Sequence, residues 1–250
     1  MDIHVIAIPV LTDNYVWAMI NTLKRCALIV DPGESEPVIE YLEKNELSLS
    51  GILITHHHWD HTAGIPHLVS HYNAPVYRYP KAPNLHPNAT VSIAFFPTFQ
   101  LMAIPGHTLD HIAYYAEPRL FCGDTLFSAG CGRVFEGTAE ELYTSLQSIA
   151  ALPNDTWIYC AHEYTLANLR FAQHVEPQNP HIADRIKEVM QYRNANKPSL
   201  PSRLSIEKAT NPFLRCDIPQ IIQQVEQHTK RSLKNPIEVF SELRKWKNNF

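Results

Sequence analysis

The sequence predicts an α+β metal-binding domain over residues 1–164 followed by a small all-helical domain over 165–250. Three observations carry this. Short apolar runs of strand length, separated by turn residues, recur up to about Cys160. After about Tyr164 no strand-like run appears, and four helical stretches follow, punctuated by Pro198, Pro201, Pro212 and Pro219. A histidine cluster, Thr55-His56-His57-His58-Trp59-Asp60-His61, stands where one of the strands ends.

In order, Ile3 to Val10, Tyr15 to Asn21 and Cys26 to Asp31 read as strands, the last closing in the turn Asp31-Pro32-Gly33. Ser35 to Leu47 carries Val38, Ile39 and Leu42 at helical spacing, with Ser35 as N-cap. Gly51 to Thr55 is a short buried-type strand running into the histidines. Thr62 to Tyr72 reads as helix and Pro75 to Tyr79 as extended. Phe99 to Ile104, Ile112 to Tyr115 and Leu120 to Cys122 are further strands, each ending near a potential ligand. Thr138-Ala139-Glu140-Glu141 is a capping-box signal for a helix reaching about Leu152. Trp157 to Cys160 is a strand that delivers His162. Leu166 to His174, Ile182 to Asn196, Ile218 to His228 and Pro236 to Trp246 suit helices.

Composition narrows the function. At 250 residues and 45% hydrophobic the chain can bury a substantial core, and 18% charged residues speak against wholesale disorder. No apolar run approaches the roughly 20 residues that span a bilayer. Met1 to Val5 lacks the basic start of a secretory signal, so a cytoplasmic protein is expected. The net charge of -4 argues against a nucleic-acid binder, and a monomer is expected. Five cysteines without a CxxC pair fit reduced thiols. The tail is locally basic: Lys230, Arg231, Lys234, Arg244, Lys245 and Lys247 face only Glu238 and Glu242. Fourteen histidines are the compositional oddity, and eleven of them precede position 165.

Alternate residues of an extended segment share a face, so His56 and His58 can converge on one ion while His57 points away. If the chain then curls into helix, Asp60 and His61 turn toward a neighbouring point, and one short segment serves two ions. Three later segments repeat the logic of a strand and tight turn presenting one ligand: Pro105-Gly106-His107, Cys122-Gly123-Asp124 and Cys160-Ala161-His162. Imidazole and carboxylate donors suit two divalent ions, zinc first, with iron or manganese also accommodated. His4, His67, His71, His86, His174, His181 and His228 read as ordinary core or surface residues. His57 and His111 read as supporting the ligands or as structural rather than as ligating, and Cys122 as a small apolar residue.

HxHxDH, PGHT, GDT and a late histidine resemble the metallo-β-lactamase superfamily. Within it, TDNYVW at 12–17, VDPG at 30–33, LFCGDTLFSAGCGRVFEGT at 120–138 and CAHEYTLANLRFA at 160–172 resemble the glyoxalase II (hydroxyacylglutathione hydrolase) family. The likeness runs through the helical region to Arg244-Lys245-Trp246-Lys247. It implies a four-layer αβ/βα sandwich with a small C-terminal helical domain. It further implies that His56, His58 and His107 hold one metal, that Asp60, His61 and His162 hold the second, and that Asp124 bridges them. Glutathione contacts would fall on Arg133, Phe135, Tyr164, Asn168, Arg244 and Lys247. Asp110 stands where the family's PGHTxGH pattern has glycine, and Phe135 where some relatives have tyrosine.

The implied reaction is hydrolysis of an S-(2-hydroxyacyl)glutathione thioester. Five imidazoles and two carboxylates leave two divalent ions undercompensated, so a bridging water loses its proton readily. Asp60 and Asp124 are the carboxylates of that catalytic centre. The small-molecule partner is a glutathione thioester, whose carboxylates the basic tail would grip. Rival readings are a lactonase, a β-lactamase or a persulfide dioxygenase on the same motif, or a metal- or glutathione-conjugate-binding protein without turnover.

Overall fold

The computed structural model describes residues 2–78, 86 and 88–250. By Cα proximity these fall into two compact units, neither a single stretch of chain. Unit 1 comprises Met1–Ala103, Asp110–Gly123 and Tyr159–Glu163; unit 2 comprises Ile104–Leu109, Asp124–Ile158 and Tyr164–Phe250.

Unit 1 opens with β1 (Ile3–Val10), β2 (Asn14–Asn21) and β3 (Cys26–Val30), then α1 (Glu36–Lys44) and β4 (Ser48–Leu53). Two short helices follow, α2 (Trp59–Thr62) and α3 (Ile65–Tyr72), then β5 (Val76–Tyr77), β6 (Thr90–Val91), β7 (Phe99–Ala103), β8 (Ile112–Ala116) and β9 (Arg119–Gly123). The first sheet has the order β1-β2-β3-β4-β5. Its first pairs are antiparallel, with Ile3 opposite Asn21 and Cys26 opposite Asn21. The crossover through α1 makes β3 and β4 parallel. β1 alternates in burial as an edge strand does, whereas β2 and β3 are buried throughout. Val16, Ala18, Ile29, Ile52 and Ile54 pack with Val38 and Leu42 of α1 and Leu68 of α3. In the second sheet β6, β7, β8 and β9 form an antiparallel run. The hydroxyl of the fully buried Tyr114 donates to the carbonyls of Ile54 and Tyr77 at 2.9 and 2.8 Å.

Unit 2 begins with the hairpin β10 (Leu126–Phe127) and β11 (Gly130–Cys131), then α4 (Ala139–Ala150). Thr138 and Glu141 complete a capping box at the start of α4, as the spacing predicts. β12 (Trp157–Cys160) gives its first two residues to this unit and its last two to unit 1. The helices α5 (Thr165–Val175) and α6 (Pro180–Asn194) precede β13 (Ser202–Arg203), which pairs with Trp157 and Ile158. α7 (Leu204–Thr210), a 3-10 turn at Pro212–Leu214, α8 (Pro219–Thr229) and α9 (Pro236–Asn248) complete the chain. Asn179 and Asn235 cap α6 and α9, each followed by a proline at the first helical position. Phe171 stacks on Phe213 at 6.1 Å, and Phe213 meets Phe240 edge-on at 5.8 Å.

Three expectations are corrected, and a fourth is met as far as the described residues reach. Ser35 does not cap α1: its hydroxyl is engaged with Glu36 and His67 instead. The helix expected over Thr62 to Tyr72 is broken, because the Gly64 N–H donates to the Pro32 carbonyl at 2.9 Å instead of back along the helix, and Pro66 has no N–H to donate. β13 places a short strand after Tyr164, and α7 adds a helix there. Of the extended segment expected at Pro75 to Tyr79, Val76–Tyr77 is strand, and Tyr79 lies outside the described residues. Among the described residues no helix is long and apolar enough to cross a membrane.

Candidate metal centre and anion pocket

In unit 1 the chain leaves β4 and is caught at once by a buried carboxylate. Asp31 accepts the Thr55 N–H at 2.8 Å and the Thr55 hydroxyl at 2.7 Å. The hydroxyl proton being committed to Asp31, Thr55 Oγ1 accepts from Nδ1 of His56 at 3.0 Å. Asp31 Oδ2 also lies 3.1 Å from Nδ1 of the fully buried His61. Nδ1 of His162 lies 2.8 Å from Asp13 Oδ1 in the same way. An acceptor at Nδ1 fixes the tautomer and leaves Nε2 as the donor atom toward a metal, the arrangement by which outer partners orient histidine ligands.

The ligand atoms converge. His61 Nε2 and His162 Nε2 lie 3.4 and 3.5 Å from the same Asp60 oxygen, to which Asn14 donates at 3.1 Å. Asp60, His61 and His162 each place a ligand atom within 4.8 Å of the others. His56 Nε2 and His58 Nδ1 lie 3.1 Å apart. Ring nitrogens and a carboxylate oxygen this close are a donor set fitted to divalent cations. His57 does point away: it is exposed, and its Nδ1 lies 2.9 Å from Asp110. His111 is buried and stacks on His56 at 4.5 Å. Asp110 touches His57 and, at 3.8 Å, Arg78.

In unit 2, His107 and Asp124 are brought together. His107 Nδ1 donates to the Arg133 carbonyl at 2.8 Å, and its Nε2 lies 3.5 Å from Asp124 Oδ2. The turn before His107 requires glycine: Gly106 has φ +138 and abuts the Leu142 backbone. A cavity of about 450 Å³ is lined by His107 and Asp124 and also by Arg133, Phe135, Tyr164, Asn168, Arg244 and Lys247. All six of the expected glutathione contacts therefore lie on one pocket. Arg244 is buried, its guanidinium 5.0 Å from the Phe213 ring centre, and Nη1 donates to the Cys131 carbonyl at 2.8 Å. Lys247, half-buried, has its ammonium pKa pushed down by desolvation first, then by Arg244 and Arg133. Three cations thus raise the potential of one cavity. Lys245 and Arg231, by contrast, pair with Glu242. The basic tail is therefore two populations, and only Arg244 and Lys247 line the pocket.

Phe135 is exposed and tilts against His107 at 5.2 Å; Tyr164 packs edge-on to Phe127 at 5.3 Å. Asn168 is almost fully buried, and its amide donates to the Ser128 carbonyl at 3.1 Å. Sequence reasoning missed Asp13, Asn14, Asp31 and Thr55, which contact His162, Asp60, His61 and His56 respectively; Asp31 with His56 and His61 is itself a group that could hold an ion. Asp13 and Asp31 lie in TDNYVW and VDPG, where an acidic residue at a strand end was the available signal.

The model of the metallo-β-lactamase superfamily matches residues 12–95 and 84–162, and that of the hydroxyacylglutathione hydrolase C-terminus matches 163–250. The chain is 48% identical over 255 residues to the hydroxyacylglutathione hydrolase of Nitrosomonas eutropha, covering 99% of each. It is 46% identical to that of Pseudomonas fluorescens, covering 99% of this chain and all of that one. Among solved structures, ETHE1 from Myxococcus xanthus superposes with a TM-score of 0.64 at 23% identity, over 99% of this chain and 98% of that one. That likeness bears on the fold alone, and it bears out the α+β metallo-β-lactamase fold; the helical C-terminal region is the part that the hydroxyacylglutathione hydrolase C-terminus model matches. Divalent-metal binding follows from the fold together with the His/Asp cluster.

Proposed function

Because the chain belongs to the hydroxyacylglutathione hydrolase family of the metallo-β-lactamase superfamily, we propose that it hydrolyses S-(2-hydroxyacyl)glutathione thioesters. S-D-lactoylglutathione, yielding D-lactate and glutathione in the second step of methylglyoxal detoxification, is the substrate we place first. One observation carries this reading: a single cavity is lined both by the metal-ligand types His107 and Asp124 and by the cations Arg133, Arg244 and Lys247.

The ligand sets we propose are His56, His58 and His107 for one ion and Asp60, His61 and His162 for the other, with Asp124 shared. The anchoring of His61 by Asp31, of His162 by Asp13 and of His107 by the Arg133 carbonyl supports these assignments. Zinc is the ion we place first; the same donors accept iron or manganese. When bound, two such ions supply a Lewis acid for the carbonyl and a solvent nucleophile of lowered pKa. The chain's own part is placement. Arg133, Arg244 and Lys247 hold glutathione's carboxylates, Tyr164, Asn168 and Phe135 complete the pocket wall, and Asp60, held by Asn14, keeps its orientation. A thiolate whose conjugate acid has a pKa of about 8.5 departs with little protonation, so no dedicated acid is required of the protein.

The same reading divides the chain functionally at Tyr164, with catalysis over 1–164 and substrate binding over 165–250; the family-model boundary at 162/163 supports it. We place the protein in the cytoplasm as a monomer. Five buried cysteines with no disulfide among the described residues support a reducing setting.

The test is hydrolysis of S-D-lactoylglutathione, followed alongside metal analysis, in the wild type and in Asp124→Asn. The variant should lose at least the roughly 10–100-fold that removal of a mere outer-shell partner costs, together with bound metal. A fully metallated wild type that opens lactones or β-lactams and leaves glutathione thioesters intact would refute the reading.

A further inference from the structure

The β10–β11 hairpin supplies Phe127 and Cys131 to the cationic pocket, and a carboxylate with no solvent exposure stands behind it. Glu207, from α7, accepts the Ala129 N–H at 2.7 Å and the Ser128 hydroxyl at 3.0 Å. Ala129 has φ +54, a left-handed conformation that a residue with a side chain keeps only when its surroundings hold it. Asn211, one helical turn on, donates to the carbonyls of Phe127 at 3.1 Å and Gly130 at 2.9 Å. The backbone of the hairpin tip is thus gripped by two side chains of one short segment. That segment continues to the fully buried Phe213, over which the Arg244 guanidinium sits. Arg244 in turn donates to the carbonyl of Cys131, the hairpin's last residue. Burial pushes the Glu207 carboxyl upward in pKa, so an acid here is costly to keep for packing alone.

We propose that Glu207, with Asn211, is a positioning residue for glutathione recognition: it fixes the Ser128–Gly130 turn so that the Cys131 carbonyl aims Arg244 into the pocket. This rests on reading that pocket as the glutathione site.

The test compares KM and kcat for S-D-lactoylglutathione, and calorimetric Kd for free glutathione, in wild type, Glu207→Ala and Glu207→Gln. Glu207→Ala should raise KM and Kd at least fivefold with kcat within about twofold of wild type. Glu207→Gln, which can accept from Ala129 and donate to the Ser128 oxygen, should recover most of the loss. Asn21→Ala, a buried lesion in unit 1 that breaks the bond to the Phe95 carbonyl, serves as the stability control. It should lower Tm and leave KM in place. If Glu207→Ala does not fold, Ser128→Ala removes one donor of the same clamp and should raise KM two- to threefold. A folded clamp variant with wild-type KM and Kd, or an equal KM rise in Asn21→Ala, overturns the inference while leaving the proposed activity standing. A wild type that neither binds glutathione nor cleaves its thioesters overturns both.

Discussion

Asp31 Oδ2 lies 3.1 Å from Nδ1 of His61, in a site where both side chains are almost completely buried. The same carboxylate holds Thr55, and through it Nδ1 of His56. One acidic side chain therefore orients two candidate ligands. Replacing it with asparagine puts an N–H where an acceptor is needed. Asp31→Asn should weaken metal binding by roughly 10–100-fold. Chelator competition measures this directly, and an unchanged affinity would show that Asp31 does not orient the ligands.

A second prediction concerns close approach. A Cβ at Gly132 would overlap the carbonyl oxygen of Asp124 and crowd Nδ1 of His107. Neither neighbour can swing aside, since the first is backbone and the second is bonded to the Arg133 carbonyl. Gly132→Ala should cost about 1–3 kcal/mol of stability, measured by denaturant unfolding, and should lower metal content per chain. Full metal loading at wild-type stability would contradict it.

How much of this was legible follows from the residues themselves. HxHxDH could be read because strand periodicity puts His56 and His58 on one side, and the structure bears out His57 turning outward. Strands such as Ile3–Val10 and Trp157–Cys160 were legible from their apolar runs. The hairpin at 126–131 was not, because its two-residue strands are too short to show a period. Ser35 is a good cap by residue type and was lost to side-chain competition from Glu36 and His67. Asp13 and Asp31 stand out locally only as acidic residues beside strands, and that does not say that their partners His162 and His61 lie 149 and 30 positions away. Division by compactness was also hidden, since Ile104–Leu109 and Tyr159–Glu163 each group apart from their sequence neighbours.

Lys247 supplies a pH dependence. Desolvation, and after it Arg244 and Arg133, lower its pKa below the ordinary lysine value of 10.5. It therefore loses its proton at a lower pH than an exposed lysine. Attraction for a substrate carboxylate should fade as pH rises through that lowered value, so KM should climb on the alkaline side. Lys247→Arg should flatten the climb, because a guanidinium stays charged there. The sign for stability is opposite. Between the folded value and 10.5 the unfolded chain holds a proton that the folded chain has released, so this group's contribution to stability rises with pH. A KM profile identical in wild type and Lys247→Arg would remove Lys247 from the binding role.

The last prediction separates binding from chemistry. Arg244 and Lys247 are three residues apart on α9 and so share a face. A hydrogen bond to a charged group is worth about 1.5–3 kcal/mol, equivalent to a roughly 10–150-fold change in affinity. Lys247→Ala should raise KM within that range and change kcat little, since its ammonium otherwise meets the Ala167 carbonyl at 3.5 Å and the Phe171 and Phe250 rings at 5.4 and 5.6 Å, all of them away from the reacting atoms. Arg244→Ala removes more than a charge: the Cys131 carbonyl loses its donor and the Phe213 ring loses its cover. Its KM rise should therefore be larger and accompanied by a fall in Tm. The double variant should show at least the product of the two single effects, because removing Arg244 alone relieves the downward pull it exerts on the Lys247 pKa and so leaves that lysine more fully charged. Steady-state kinetics on all three variants decides it; a fall in kcat at constant KM would place these cations in the chemical step instead.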